Sequence, residues 1–186
     1  MSASDEACCA VTAASAPCAT SPAAVAGTCV ECGAAGSPVE RRTLLHMLVP
    51  DGLERVGVRE YRFCAAPGCD VVYFSTDGVV AFGTADLRQR VGLKAGADPS
   101  APVCYCFGFT AGDLEAGVQG GGTEVPARIR ALVKERLCAC EVRNPSGRCC
   151  LGEIARMVKR LSAVESSCCA GSPCEDGRER PQKEDL

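Results

Sequence analysis

Large aromatic side chains and histidine are scarce in this sequence of 186 residues. It contains no tryptophan, one histidine, three tyrosines and five phenylalanines. Domains with so few large apolar side chains bury little surface and usually need disulfides or metal ions for stability. The sequence also has no glycine-rich nucleotide loop and no thioredoxin-like Cys-x-x-Cys that opens a helix. These absences argue against an enzyme and predict a non-catalytic protein.

Long hydrophobic runs are also absent, and no apolar stretch approaches the roughly 18 residues that a membrane-spanning helix needs. The first six residues, Met-Ser-Ala-Ser-Asp-Glu, are acidic, whereas a secretory signal begins with basic residues. These features predict a cytoplasmic protein. The net charge of −3 lacks the basic excess of nucleic-acid-binding surfaces, so no nucleic-acid partner is predicted.

Cysteine, in contrast, is abundant, with 16 residues in the chain. The cellular compartment decides whether such residues form disulfides or bind metal, because cytoplasmic thiols stay reduced. In a cytoplasmic chain, cysteine pairs at short spacing favour metal ligation. The sequence therefore predicts metal sites rather than a disulfide framework.

Composition divides the chain into segments of different character. Large apolar residues are rare at both ends, and strand-forming runs precede segments with helical periodicity. The predicted segments are a disordered arm (1–28), a β-rich unit (29–93), a linker (94–102), a mainly helical unit (103–163) and a disordered tail (164–186). The predicted fold class is α+β.

The β-rich unit has three candidate strands and one segment that the pattern leaves open. The candidate strands are residues 61–63, 71–74 and 79–82, and the turn Thr76-Asp77-Gly78 separates the last two. Residues 42–49 fit either a helical turn or a strand.

Three helices are predicted in the second unit. Thr110 and Asp113 resemble a capping box that starts the first helix, and glycines 120–122 end it. Pro126 suits the first turn of the second helix. The apolar faces of the second and third helices consist of Ile129, Leu132, Val133 and Leu137, and of Leu151, Ile154, Val158 and Leu161.

The β-rich unit carries two short-spaced cysteine pairs, Cys29-x2-Cys32 and Cys64-x4-Cys69. Two such pairs on tight turns can converge on one ion, and four thiolates are typical of a closed structural zinc site. His46 could replace a thiol, but a lone histidine among apolar residues is more often partly buried and hydrogen-bonded, and Asp70 is a remoter substitute. The alternative interpretation is that the four cysteines are small buried hydrophobic residues.

Six further cysteines form three close clusters in the helical unit: Cys104 and Cys106, Cys138 and Cys140, and Cys149 and Cys150. A [2Fe–2S] cluster takes two sulfur ligands for each iron, and its negative charge favours free amides and helix N-termini. Gly108 and Gly147 let backbone amides come close to sulfur. These features favour an iron–sulfur cluster on Cys104, Cys106, Cys140 and Cys150. Spacing alone leaves open Cys138 for Cys140, Cys149 for Cys150, and a second zinc ion.

Three strings of the sequence together resemble one family. They are Tyr-x-Phe-Cys-x4-Cys-x-Val-Val-Tyr-Phe at 61–74, Val-Cys-Tyr-Cys at 103–106 and Cys-x3-Asn-Pro-Ser-Gly-Arg-Cys-Cys at 140–150. This order is similar to the N-terminal region of CopZ-type metallochaperones. In that family, a zinc site precedes a [2Fe–2S] domain similar to bacterioferritin-associated ferredoxin (BFD-like). The resemblance runs from about Cys29 to Leu161.

The resemblance implies zinc on Cys29, Cys32, Cys64 and Cys69, and a [2Fe–2S] cluster on Cys104, Cys106, Cys140 and Cys150. Cys149 corresponds to a family cysteine that is not a ligand, and Cys138 has no counterpart. Copper chaperones of this family continue into a βαββαβ domain with a Met-x-Cys-x-x-Cys loop. We expect no such domain in this chain, and no direct copper transfer through such a loop.

The predicted function is a cytoplasmic metallochaperone for copper or another soft metal ion, with a redox-active cluster. The resemblance suggests that this cluster could supply one electron, for instance to keep copper as Cu(I). A metal-transporting P-type ATPase is the predicted partner. Cysteines near the chain ends suit capture of Cu(I), Hg(II) or As(III), and they are Cys8, Cys9, Cys18, Cys168, Cys169 and Cys174. The alternative is that these are incidental thiols of disordered segments. The alternatives are a small ferredoxin-like electron-transfer protein and a thiol-dependent metal or metalloid reductase.

Overall fold

The computed structural model of the protein describes residues 27–168. Its first part, the sheet unit (residues 27–94), is a four-stranded antiparallel sheet in which the strands pair in chain order. Its elements are β1 (Ser37–Val39), α1 (Arg41–Met47), α2 (Pro50–Glu54), β2 (Tyr61–Phe63), β3 (Val71–Ser75) and β4 (Ala81–Gly83). Because β2 and β3 are neighbours, the loop that joins them lies at one end of the sheet.

The central strand β3 contributes to apolar clusters on both of its faces, and all five of its residues are buried. Tyr73 packs in a cluster with Leu44 of α1, whereas the next residue, Phe74, packs in a second cluster with Cys64 and Cys69. Successive residues of a strand point to opposite faces, which explains this division. The predicted zinc cysteines therefore lie on the face of the sheet away from α1.

The second part, the helical unit (residues 101–168), consists of β5 (Pro102–Cys104), β6 (Phe109–Thr110), α3 (Ala111–Gln119), α4 (Glu124–Lys134), α5 (Cys140–Arg143) and α6 (Leu151–Cys168). The helices α3, α4 and α6 pack around Leu114, Ile129 and Ile154, which are almost fully buried. Cys104 and Cys150 belong to the same apolar cluster. The helical core thus encloses two of the predicted cluster ligands.

The strand predictions are confirmed for β2 and β3, but β4 begins at Ala81 instead of Val79. The turn takes up Val79, because the Asp77 carboxylate accepts a hydrogen bond from the Val79 N–H at 3.1 Å. The Val79 side chain is consequently 68% exposed. The open segment 42–49 is mostly the helix α1.

The predicted starts of α3 and α4 are confirmed, but one residue predicted for the apolar face of α4 lies outside that helix. Thr110 caps α3, and Pro126 lies in the first turn of α4. The prediction that Leu137 belongs to the apolar face of α4 is wrong, because its side chain is 60% exposed. The helix ends at Lys134, and Arg136 turns the chain away with a φ of 59°.

The helix α6 is longer than the sequence indicated. Residues 164–168, which were predicted to belong to a disordered tail, continue this helix to Cys168. No glycine or proline interrupts the chain between Gly152 and Gly171, so nothing in the sequence breaks the helix there. None of the helices within residues 27–168 combines the length and the apolar character needed to cross a membrane.

Thr110→Ala is expected to lower the free energy of unfolding by about 1 kcal/mol, because the hydroxyl caps α3. Thr110 Oγ1 accepts a hydrogen bond from the Asp113 N–H at 3.3 Å, and Asp113 accepts one from the Thr110 N–H at 2.8 Å. Thr123 is a matched control, because it precedes α4 without a side-chain capping bond. Urea unfolding of Thr110→Ala and Thr123→Ala measures the difference, and equal losses would contradict the capping role.

Candidate metal centres

The first metal centre is formed by the four cysteines of the sheet unit. Their sulfur atoms all lie within 4.8 Å of one another, and the group consists of Cys29, Cys32, Cys64 and Cys69. The Sγ atoms of Cys29 and Cys69 are 3.8 Å apart, and those of Cys32 and Cys64 are 3.6 Å apart. Four thiolates around zinc, at bond lengths of about 2.3 Å, have sulfur atoms about 3.8 Å from each other. The group therefore fits a single tetrahedral zinc ion.

Two tight turns bring these cysteines together. The Cys29 carbonyl accepts a hydrogen bond from the Gly33 N–H at 2.9 Å, and Gly33 has a φ of 70°, which favours glycine. The second turn joins β2 to β3, where the Cys69 N–H donates to the Ala66 carbonyl at 3.3 Å. Each turn is therefore held by a hydrogen bond of its own backbone.

Backbone amides face three of the four sulfur atoms. Each of these thiols accepts a hydrogen bond from the N–H two residues further along the chain, and the pairs are Cys32 with Ala34, Cys64 with Ala66 and Cys69 with Val71. Such bonds stabilise the thiolate form, which is the form that ligates metal. The amide of Ala34 holds the pKa of the exposed Cys32 thiol below its usual value.

Burial acts in the opposite direction on two of the other ligands. It raises the pKa of the Cys64 thiol and the pKa of the Cys69 thiol, because a thiolate loses hydration inside the protein. A bound cation supplies the compensating charge, so these two residues favour ligation over an empty thiolate site.

A lysine supports the second turn of this centre. Lys94 Nζ donates hydrogen bonds to the carbonyl oxygens of Ala66 and Cys69, at 2.9 and 2.8 Å. Its charge also favours the thiolate form of Cys64. The sequence placed Lys94 in a linker, and no signal in the sequence indicates that it returns to this turn.

The two substitute ligands do not join the group. His46 lies on the exposed side of α1, although it was expected to be partly buried. The Asp70 carboxylate accepts hydrogen bonds from the hydroxyl and the N–H of Thr84. The sulfur-only group is therefore the one that the structure assembles.

The second candidate metal centre consists of two sulfur pairs in the helical unit. Cys104 Sγ lies 3.3 Å from Cys150 Sγ, and Cys106 Sγ lies 3.7 Å from Cys140 Sγ. Within residues 27–168, the first centre is the one group of three or more potential ligand side chains placed so that they could share an ion. The second centre consequently has two separate pairs instead of one point of convergence.

Each pair joins a cysteine at the end of β5 or in the turn that follows it to a cysteine between α4 and α6. Cys104 ends β5, and Cys106 lies in the turn that Gly108 closes with a φ of 74°. Cys140 is the first residue of α5, and Cys150 directly precedes α6. The structure thus brings the predicted ligands together from positions 34 and 46 residues apart.

Amides also face the second centre. The Cys106 sulfur accepts a hydrogen bond from the Ala139 N–H at 3.4 Å, and the Cys140 sulfur accepts one from the Cys150 N–H. Burial raises the pKa of the Cys140 thiol and the pKa of the Cys150 thiol. A bound cationic centre would offset this cost, as in the first group.

The structure separates the cysteines that spacing left open. Cys140 and Cys150 are buried and each contacts another sulfur atom. Cys149 is exposed, and Cys138 is only half-buried. All ten cysteines whose side chains are described are free thiols. Of the predicted soft-metal ligands, Cys168 ends α6, whereas Cys8, Cys9, Cys18, Cys169 and Cys174 lie outside the described residues.

Comparisons with known proteins point to one family. Residues 26–88 match the CopZ zinc-finger family, which is described as a zinc binding domain. The chain is 35% identical over 130 residues to a protein named copper chaperone CopZ from Archaeoglobus fulgidus, a match that covers 69% of this chain. It spans 60% of the length of that relative.

A solved structure supports the same relationship. The X-ray structure of the Archaeoglobus fulgidus CopZ N-terminal domain is 30% identical in sequence and superposes with a TM-score of 0.58. The match covers 70% of this chain and 96% of that domain. The thiol strings that resembled CopZ-type proteins therefore reflect homology, and the chain belongs to the CopZ-like family.

Proposed function

We propose that the protein is a non-catalytic CopZ-like metallochaperone that holds a structural zinc ion and a redox-active [2Fe–2S] cluster. The observation that carries this proposal is the contrast between its two cysteine groups. The first group converges on one point, whereas the second consists of two sulfur pairs. The two arrangements suit different inorganic centres.

The convergent group suits zinc. Zinc favours four sulfur or nitrogen ligands in a tetrahedral arrangement, and all-cysteine sites are usually structural. Three of the four cysteines are buried, and hydrogen bonds from backbone amides orient three of the sulfur atoms. The ion would fix the turn of Cys29 and Cys32 to the loop between β2 and β3.

The paired group suits a [2Fe–2S] cluster, because each iron of such a cluster takes two cysteine thiolates. The negative charge of the centre is favoured by the amides of Ala139 and Cys150 and by the N-terminus of α6. When bound, the cluster supplies a one-electron redox couple, which suits a role in keeping copper as Cu(I). The helical unit is then a BFD-like domain.

The cargo and the partner are proposed from the family. The relative is named a copper chaperone, so we infer that the cargo is Cu(I) and that the partner is a copper-transporting P-type ATPase. The cytoplasm is the compartment in which such a chaperone acts. Cu(I) binds two or three soft thiolates, and the candidate ligands are Cys8, Cys9, Cys18, Cys168, Cys169 and Cys174.

Metal and sulfide analysis of anaerobically purified protein tests the proposal. We expect about one zinc ion, two irons and two sulfides per chain, with the visible absorption of an iron–sulfur protein. Reduction by one electron should produce an electron paramagnetic resonance signal. Colourless protein with two zinc ions would contradict the cluster.

Replacing all six terminal cysteines with serine is expected to remove high-affinity Cu(I) binding while the zinc and iron contents stay unchanged. Competition with a chromophoric Cu(I) chelator measures the binding. The matched control is Cys138→Ser combined with Cys149→Ser, which removes two thiols from the described part of the chain. An unchanged Cu(I) stoichiometry would contradict a capture role, and iron-loaded protein that binds no Cu(I) would favour an electron-transfer protein.

A further inference from the structure

The segment between Cys140 and Cys150, here called the cluster loop (residues 141–149), joins one cysteine of each sulfur pair. Its regular structure is limited to the single turn of α5 at its start. Asn144 orders the middle of the loop, where its Oδ1 accepts a hydrogen bond from the Ser146 N–H at 3.0 Å. The position of the loop as a whole therefore depends on its contacts with the rest of the chain.

Three backbone carbonyls of the cluster loop accept hydrogen bonds from side chains of the sheet unit. These bonds are Thr43 Oγ1 to the Glu141 oxygen at 2.6 Å, Gln89 Nε2 to the Arg143 oxygen at 2.7 Å and Tyr73 Oη to the Pro145 oxygen at 2.7 Å. The donors come from three separate parts of the sheet unit. Together they form a clamp on the carbonyls of the loop.

The clamp is closed to solvent at its centre. Tyr73 is 0% exposed and Thr43 is 1% exposed, and Pro145 is fully buried as well. The backbone of Gly147 also rests on the sheet unit, because a Cβ there would lie 3.1 Å from Thr43 Oγ1 and 3.4 Å from Val39 Cγ2. A buried carbonyl that loses its hydrogen-bond donor is no longer compensated for its lost hydration. The three hydrogen bonds therefore stabilise the loop in this position.

The facing ligand segment is attached to the same unit. Tyr105, which lies between the cysteines of this segment, accepts a hydrogen bond on its hydroxyl from the Gly92 N–H at 2.7 Å. Lys94, which lies two residues after Gly92, donates hydrogen bonds to the carbonyls of Ala66 and Cys69 in the zinc centre. Both ligand segments of the second centre are thus anchored on the fold that the zinc cysteines join together.

We propose that Thr43, Tyr73 and Gln89 are positioning residues for the iron–sulfur centre, and that the zinc centre supports them by holding together the sheet unit that carries them. The inference rests on the proposed function, since it requires a cluster on the two sulfur pairs. Groups outside the ligands commonly orient them and tune the affinity and potential of a metal centre. Loosening the clamp frees one ligand in each pair, Cys140 and Cys150, while the other ligand of each pair keeps its place.

Tyr73→Phe tests the clamp, with Tyr61→Phe as its matched control. Tyr61 is also buried in the sheet, but its hydroxyl accepts a hydrogen bond from the Gly57 N–H at 3.1 Å inside the sheet unit. We expect Tyr73→Phe to release iron to a chelator about five- to tenfold faster than the unmodified protein, because one buried bond is lost. The reduction potential of Tyr73→Phe should shift, whereas its zinc content should stay unchanged. Tyr61→Phe should match the unmodified protein in iron release, reduction potential and zinc content.

Removal of zinc tests the connection between the centres. Stripping zinc with a selective chelator should speed iron release from the unmodified protein. The further acceleration should be smaller in Tyr73→Phe, because the support is already weakened there. If zinc removal speeds iron release by the same factor in Tyr73→Phe as in the unmodified protein, coupling through the clamp is contradicted.

Equal rates of iron release from Tyr73→Phe and Tyr61→Phe would overturn the positioning role. If Tyr73→Phe does not fold, Thr43→Val removes a second bond of the clamp, and release at the unmodified rate would overturn the role in the same way. Zinc-loaded protein that never acquires iron would contradict the proposed function instead. In that case, hydrogen exchange of amides 141–149 still tests the clamp, which predicts faster exchange in Tyr73→Phe than in Tyr61→Phe.

Discussion

Cys64→Ser is expected to lower the zinc affinity of the protein roughly 100-fold and to destabilise the sheet unit. Zinc binding at a four-ligand structural site contributes about 10–16 kcal/mol, so one thiolate accounts for about 3 kcal/mol. Cys64 is completely buried, and its sulfur lies 3.6 Å from that of Cys32. Water cannot readily replace it there. Competition with a chromophoric zinc chelator measures the affinity, and thermal melting followed by circular dichroism measures the stability.

Cys149→Ser is the matched control for this experiment. It also removes one thiol, but Cys149 is exposed and lies outside the convergent group. Zinc affinity and melting temperature should stay at their unmodified values. Full zinc affinity in Cys64→Ser would contradict the ligand assignment, and unchanged melting of zinc-stripped protein would contradict a structural role for the ion.

Cys150→Ser should lose nearly all of its iron and sulfide, whereas Cys149→Ser, one residue away, should retain both. Cys150 is buried with its sulfur 3.3 Å from that of Cys104, while Cys149 faces solvent. Serine oxygen is a poor substitute for the soft thiolate that iron–sulfur clusters require. Iron and sulfide assays, visible absorption and paramagnetic resonance of the reduced protein report the loss.

The same comparison applies to the other end of the cluster loop. Cys140→Ser should lose the centre and Cys138→Ser should keep it, because Cys140 is the one of these two residues whose sulfur contacts that of Cys106. The opposite outcome in either comparison would assign the ligand to Cys149 instead of Cys150, or to Cys138 instead of Cys140. Loss in all four variants would show that the thiols act on folding rather than on a particular centre.

Short-range features of this protein were predictable from the sequence. Cys29-x2-Cys32 and Cys64-x4-Cys69 indicated convergent turns, and the structure joins them into one group. The capping box at Thr110 was equally readable, because both of its hydrogen bonds connect residues three positions apart. In each case the signal lies within one turn of chain, although the two cysteine pairs themselves meet across 32 and 40 residues.

Features that depend on distant contacts were not predictable. Spacing could not choose Cys140 over Cys138, since the choice depends on which sulfur the fold turns inward. Leu137 fits the period of α4, but the helix ends at Lys134 and leaves Leu137 in solvent. The bonds from Lys94 to the zinc turn span 25 and 28 residues and leave no trace in local sequence.

The pairing of sulfur atoms across the helical unit has a consequence for how the protein matures. In an unfolded chain, Cys29 and Cys32 already form a local bidentate site, so zinc can be captured early. Cys104 and Cys106 are also neighbours, yet they belong to different pairs whose partners lie 46 and 34 residues away. Neither pair has a local partner, so bringing its two sulfur atoms together depends on the packing of the helical unit. The iron and sulfide of the proposed cluster would therefore enter late, into a chain that has already acquired its shape.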